Sequence, residues 1–257
     1  MPESDLALLS EAAKEAGRIA RRFWREDPET WDKGGSAGPV TEADLAVDRM
    51  LHAELRRERP DYGWLSEETE DDHGRLLARR VFVIDPIDGT RSFVAGERTW
   101  AHSLAIVEDG RPVTAVVYLP VRDKFYAATA EGPATLNGQP VGASVRDALD
   151  GATVLAARPN LDPEHWGGRP PNVARHFRSS LAYRLSLVGE GRFDAMLTLR
   201  RAWEWDIAAG ALIAERAGAK VTDRRGKPLR FNGRERLVDG VVAGAPSVHR
   251  GFVERLA

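Results

Sequence analysis

Val81-Phe-Val-Ile-Asp85-Pro86-Ile87-Asp88-Gly89-Thr90 is the stretch whose reading decides the fold. Four β-branched or aromatic residues in a row (Val81 to Ile84) predict a buried strand. Pro86 has no N–H for a central ladder, so the strand is expected to end at Asp85. The chain then leaves the sheet with two carboxylates, Asp85 and Asp88, three residues apart at a strand's carboxyl end. Gly89 permits a close backbone approach, and the N–H groups of Gly89 and Thr90 are placed to face an anion. Two hard oxygen ligands beside an anion cradle suit Mg²⁺ held against a phosphate. The same letters also make good turn chemistry, since Asp opens turns and Gly closes them, so the surrounding blocks have to decide.

Composition narrows the setting. A chain of 257 residues is large enough for one domain or two packed halves, and it has a net charge of −2 with 30% charged residues. No overall field recruits nucleic acid or a membrane surface. Without cysteine there is no disulfide, thiolate metal site or cysteine nucleophile. The segment Met1-Pro-Glu-Ser-Asp5 has neither the basic nor the apolar region of a signal peptide, and no apolar run reaches the ~18 residues of a membrane span. A cytoplasmic globule is expected.

Outward from the central strand, helices are expected over residues 4–26 and 41–59, the second opened by the capping box Thr41-Glu-Ala-Asp44. Residues 27–40 read as loop, and Tyr62–Ser66 as a strand running into Glu67 and Glu68. After Thr90, strands at 103–108 and 113–119 flank Asp109-Gly110, a hairpin signal; a third follows at 124–130, then a turn at Asn137-Gly138. Beyond about residue 150 the order becomes α/β. Strands are expected at 154–157, 193–199, 220–222 and 240–243, and helices at 180–190, 207–217 and 247–256. Two halves follow, 1–150 (α+β, carrying the metal-binding strand ends) and 151–257 (α/β, completing the site).

Further acids fall where a metal site needs them. Glu67 ends a strand, as Asp85 does. Asp206, in Trp203-Glu-Trp-Asp206, opens a helix that is apolar all round and hence buried; it serves equally as an N-cap or as a ligand. Asp44 is either the acid of the capping box alone or a site residue as well. His102 and His165 read as structural, and the seven tryptophans mostly as core.

Taken together, Leu65-Ser-Glu67-Glu68, Asp85-Pro-Ile-Asp88-Gly89-Thr90 and Trp205-Asp206 with its Ala/Gly-rich helix resemble the inositol monophosphatase superfamily over nearly the full length. Pro39-Val-Thr-Glu-Ala-Asp44 and Leu136-Asn-Gly138 agree with it. The resemblance implies a layered αβαβα sugar-phosphatase fold and a lithium-sensitive, Mg²⁺-dependent phosphomonoesterase that uses a metal-activated water. Glu67, Asp85, the Ile87 carbonyl, Asp88 and Asp206 would hold two or three Mg²⁺. Glu67 and Thr90 would position the water, with Asp44 orienting Thr90. Asp88, Gly89, Thr90, Ser180, Glu204 and Asp206 would meet the substrate. Trp31, ahead of Lys33-Gly-Gly, resembles a residue of a loop that closes over the metals. A homodimer and a small phosphorylated metabolite as partner are implied too.

The substrate reading is narrower. The glutamate that binds hydroxyls in inositol phosphatases is missing from Leu197-Thr198-Leu199-Arg200-Arg201. Glu204-Trp-Asp206 and Ser179-Ser180-Leu181 instead resemble the 3′(2′),5′-bisphosphate nucleotidase branch, and Arg184, Arg200 and Arg201 could meet a second phosphate. Adenosine 3′,5′-bisphosphate is the expected substrate. Inositol 1-phosphate, histidinol phosphate, or a non-catalytic module binding a phosphometabolite or RNA are the alternatives.

Overall fold

The computed structural model describes residues 4–32, 34 and 38–256; Met1–Glu3, Lys33, Gly35–Ala37 and Ala257 lie outside them. In chain order the elements are α1 (Asp5–Phe23), β1 (Thr30–Asp32), β2 (Pro39–Thr41), α2 (Glu42–Glu58), β3 (Gly63–Ser66), β4 (Arg80–Asp88) and α3 (Thr90–Val94). Then come β5 (Ala101–Glu108), β6 (Arg111–Leu119), β7 (Lys124–Thr129), β8 (Thr135–Leu136), β9 (Gln139–Pro140), β10 (Thr153–Ala156) and β11 (Ala174–His176). The chain continues with α4 (Leu181–Gly189), β12 (Ala195–Thr198), β13 (Ala202–Trp203), α5 (Glu204–Arg216) and β14 (Lys220–Thr222), and ends with β15 (Leu237–Val238), β16 (Val241–Gly244) and α6 (Pro246–Val253).

The larger sheet orders its strands β3-β4-β5-β6-β7-β8-β9 and the smaller one β11-β10-β12-β16-β14. Strand alternation sets the layers. Along β4, Phe82 and Ile84 pack with Leu9, Leu51 and Leu55 of α1 and α2. Val81 and Val83 point the other way, into a core shared with Leu185 of α4 and Ile213 of α5. That core also takes in Met196, Val241 and Ala243 from one face of the smaller sheet. Val154, Leu197 and Val242 of its other face pack with Phe252 of α6. The order of layers is therefore αβαβα, as expected. Among the described residues no helix is long and apolar enough to cross a membrane.

Several local expectations change. β4 does not stop at Asp85: it runs to Asp88, with a register break against β5 between Asp85 and Asp88. A bulge leaves an unpaired residue, so the missing N–H of Pro86 falls where no ladder bond is required. Residues 27–40 hold a β1–β2 ribbon in which Trp31 pairs with Val40. α5 begins at Glu204, with Trp203 as its cap residue and no side-chain cap bond; Asp206 thus sits inside the first turn and is not the N-cap. The smaller sheet is mixed, since β16 pairs antiparallel with both β12 and β14.

Helix α6 carries a buried histidine away from the cleft. His249 Nε2 lies 2.8 Å from Thr222 Oγ1 on β14, and burial, helped by the Lys220 charge, lowers its pKa to about 4. An unfolded histidine titrates near ~6.5, so the folded state takes up its proton later than the unfolded chain does. The stability that neutral His249 secures is complete above pH ~6.5 and is lost as the pH falls towards 4. Between pH 7.5 and 5.0 wild type should lose about 1–2 kcal/mol more than His249→Gln in urea unfolding. Equal losses would refute the assignment.

Candidate active site

Period-two alternation carries Asp85 onto the same face as Val81 and Val83, the face covered by α4 and α5. The N-terminal turn of α5 brings Asp206 to it, and the β4 bulge turns Asp88 the same way. Carboxylate oxygens of Asp85, Asp88 and Asp206 lie within 4.8 Å of one another. Asp85 is 1% exposed, and its Oδ1 has no hydrogen-bond partner. Burial, then the charges of Glu67, Asp88, Asp206 and Asp44, push its carboxyl well above the ordinary range. Burial and the Asp88 charge do the same to Asp206, against some relief from Arg200. Like charges ~4 Å apart repel by about 4 kcal/mol at a surface-like effective dielectric of ~20. Ionised together, these three need a cation. The donors are all hard oxygens, one of them buried without a partner, and that set fits Mg²⁺ or a similar ion.

Asp88 is held differently. Its Oδ2 accepts from Ser180 Oγ and from the Ala182 N–H, both at 2.7 Å, at the N-terminus of α4. Burial raises its pKa to about 6, while those two donors and the Arg184 charge pull it back. Ser180 itself is fully buried and also accepts from the Tyr183 N–H. It positions Asp88 and does not face the cleft, which corrects the substrate contact expected of it.

Thr90 follows Gly89, whose φ of 97° lies in the left-handed region. Thr90 Oγ1 sits 3.1 Å from the Ile87 carbonyl and 3.3 Å from Asp44 Oδ1. Asp44 completes the capping box of α2, its Oδ2 accepting from the Thr41 N–H at 2.8 Å and Thr41 Oγ1 at 2.6 Å. One carboxylate thus both caps the helix and reaches Thr90. Glu67 lines the cleft beside Asp85, and its N–H extends the β3–β4 ladder to the Ile84 carbonyl.

The cleft has a volume of about 1040 Å³ and is lined from two parts of the chain, by Glu67, Asp85, Ile87, Asp88, Gly89 and Thr90 and, later in the sequence, by Arg184, Arg200, Trp203 and Asp206. Sequence reasoning did not reach Arg91, Arg122, Arg178, Asn160 or Phe177, which line it as well. Arg91 directly follows Thr90 and lies in the first turn of α3, whereas no spacing marks the other four, which segments distant in sequence from the strand-end acids deliver. Another unforeseen feature is a hydroxyl cluster on the wall. Ser92 Oγ lies 2.6 Å from both Ser179 Oγ and Glu97 Oε2.

Two expected substrate contacts are elsewhere. Glu204 is 1% exposed, and its oxygens accept from the Asn232 N–H at 2.6 Å and the Gly233 N–H at 2.8 Å. Arg75 grips the same loop through Asn232 Oδ1 and the Gly233 carbonyl. Glu204 is therefore part of a clamp behind α5 and is absent from the cleft wall. Arg201 is paired with Glu235 and also lies off the wall. Trp31, 41% exposed, is not among the lining residues either. His102 is a strand residue of β5, as expected. Its Nδ1–H donates to the Pro86 carbonyl at 2.5 Å, and burial lowers its pKa to about 4, so the ring is neutral.

A family model described as the inositol monophosphatase family matches residues 1–256. The chain is 34% identical over 242 residues to an "Inositol-1-monophosphatase" of Rhizobium meliloti (strain 1021), covering 87% of this chain and 88% of the relative. It is 32% identical over 251 residues to a "3′-phosphoadenosine 5′-phosphate phosphatase" of Mycobacterium leprae (strain TN), covering 89% and 84%. Among solved structures, an IMPase of Thermotoga maritima superposes with a TM-score of 0.82 at 27% identity, over 95% of this chain and 93% of that one. With its fold, its acidic cluster and these relatives, the chain belongs to the inositol monophosphatase family of phosphomonoester hydrolases.

Proposed function

We propose that this protein hydrolyses a phosphomonoester with Mg²⁺ as its metal, and that its substrate is a 3′(2′),5′-bisphosphate nucleotide such as adenosine 3′,5′-bisphosphate. One observation carries the reading: Asp85, Asp88 and Asp206 converge within 4.8 Å in a cleft whose wall holds five arginines, Arg91, Arg122, Arg178, Arg184 and Arg200. The acids supply a cation site, and the arginines favour a substrate with more than one phosphate. No carboxylate stands at 197–201 to bind a polyol's hydroxyls, and Glu204 is committed to the 232–233 loop.

Glu67, Asp85, Asp88 and Asp206, with the Ile87 carbonyl, would hold two or three Mg²⁺, which when bound neutralise phosphate charge and make water a nucleophile near neutral pH. Gly89 and Thr90 present amides to the phosphate oxygens. The Thr90 hydroxyl donates a hydrogen bond to Asp44 Oδ1 or to the Ile87 carbonyl, which would leave its lone pairs to align the attacking water together with Glu67. Ser180 and the Ala182 N–H keep Asp88 in one rotamer with Oδ2 satisfied, so its other oxygen is left for the site. The reading treats 1–150 and 151–257 as halves that meet at the cleft. It also includes a lithium-sensitive, cytoplasmic homodimer with no nucleic-acid or membrane partner.

The test is phosphate release, with and without Mg²⁺, from adenosine 3′,5′-bisphosphate, inositol 1-phosphate, fructose 1,6-bisphosphate and histidinol phosphate. The bisphosphate nucleotide should give the highest kcat/KM, and EDTA should abolish release. Preference for inositol 1-phosphate would replace the substrate assignment and leave the metal chemistry standing. No release at saturating Mg²⁺, alongside salt-dependent RNA binding, would replace the enzyme with a binding module.

A further inference from the structure

The large apolar surface on the cleft wall is Phe177. It follows the edge strand β11 and is 49% exposed, although Phe193 nearby is buried. A phenyl ring left half in water forgoes burial that would stabilise it, and this one is held in place from beneath. The Arg184 guanidinium carbon lies 4.6 Å from its centroid. Arg184 is itself 5% exposed and donates to the Arg178 and Ser179 carbonyls, so the charged plane under the ring is fixed. The charge of Arg184 also reaches Asp88 and Asp206, which ties the ring to the acidic cluster through a single side chain. Beside it, Arg178 and Arg200 line the same wall, and Arg200 makes no side-chain hydrogen bond or ion pair among the described residues.

From this arrangement we infer that Phe177, backed by Arg184, is a stacking platform for a nucleobase and sets the specificity of the site for nucleotides over polyol phosphates. The inference rests on the phosphatase reading above. A planar π-system placed on the outer face of the ring would form a guanidinium–phenyl–base stack. With the scissile phosphate at Gly89 and Thr90, the second phosphate of a bisphosphate nucleotide has Arg178 and Arg200 to bind. A polyol has no flat face to offer and gains nothing from Phe177.

The experiment compares wild type, Phe177→Ala and Phe177→Tyr on adenosine 3′,5′-bisphosphate and on glycerol 2-phosphate, which lacks a ring. Equilibrium dialysis of the nucleotide gives a Kd independent of turnover. Base stacking on an aromatic side chain is lost on truncation at a penalty that corresponds to about tenfold or more. Phe177→Ala should raise the nucleotide Kd about tenfold, and should raise the ratio of the nucleotide KM to the glycerol 2-phosphate KM by a similar factor. Phe177→Tyr should restore both. An unchanged Kd and ratio in Phe177→Ala, or a wild type that does not bind the nucleotide, overturns the platform. Phosphate release from glycerol 2-phosphate in that same wild type would show the phosphatase reading intact; its absence at saturating Mg²⁺ would bring that reading down instead.

Discussion

Asp85→Asn is expected to lower kcat/KM about a thousandfold or more, some 4 kcal/mol of lost transition-state stabilisation, while making the metal-free protein more stable than metal-free wild type. The two effects have one cause. Asp85 is buried against Glu67, Asp88, Asp206 and Asp44, and its folded-state pKa is raised well above the unfolded value. For a carboxyl shifted upward, ionisation is easier in the unfolded chain. Folding stability therefore declines as the pH climbs above the unfolded pKa. Asparagine keeps the shape, removes the charge and relieves that penalty, but it leaves a weaker ligand in the middle of the acidic cluster. Urea unfolding at pH 8 in EDTA should place the variant's midpoint above that of wild type. Adding Mg²⁺ should then raise the wild-type midpoint and leave the variant nearly unmoved, by mass action on the folded state. Retained turnover would remove Asp85 from the mechanism. A metal-free variant less stable than wild type would mean that Asp85 has an unrecognised structural partner.

How much of this was legible follows from the range of each interaction. The β4 strand, the turn chemistry at Asp88–Gly89 and the Thr41–Asp44 capping box are written within a few residues, and each is found. The aim of Asp85 was also readable, since alternation from Val81 fixes the face. Other roles depended on residues far away. Ser180 looks like a helix cap and is one, but its second partner is Asp88, 92 positions earlier. Glu204 resembles a substrate residue because it precedes Trp205-Asp206. What commits it is the pair of N–H groups at Asn232 and Gly233, and nothing near Glu204 announces them. Pro86 misled for a related reason: a rule about ladder donors does not apply inside a bulge, and the bulge is visible only in the pairing with β5. The arginines of the cleft come from α3 (Arg91), α4 (Arg184) and segments far apart in the chain (Arg122, Phe177-Arg178, Arg200), so only the folded chain assembles them.

The second large effect lies at Gly210, where the two helices that carry the site touch. A Cβ built there would stand 2.6 Å from Leu185 Cβ and 3.1 Å from the Ala182 carbonyl oxygen. Neither atom can rotate away, so α4 and α5 must separate to admit even a methyl group. Alanine in a helix interior is favoured over glycine by about 1 kcal/mol. Overpacking of a tight core contact opposes it by about 1–3 kcal/mol or more, and the contact should win here because backbone is involved on one side. The damage reaches the chemistry as well. α4 holds Asp88 through Ser180 Oγ and the Ala182 N–H, while α5 delivers Asp206 from its first turn. Moving one helix against the other therefore spreads the carboxylates apart, and displacements of ~1 Å can lower rates ~100-fold. Gly210→Ala should unfold at lower urea than wild type and lose about two orders of magnitude in kcat; Gly210→Leu should not fold. Pairing Gly210→Ala with Leu185→Gly moves the missing Cβ to the facing helix and reopens the crossing. The double variant should then be more stable than the two single losses predict, a coupling expected only of residues in contact. If Gly210→Ala keeps both wild-type stability and wild-type kcat, the crossing of α4 and α5 is looser than these distances require, and the rigid placement of Asp88 against Asp206 must come from elsewhere.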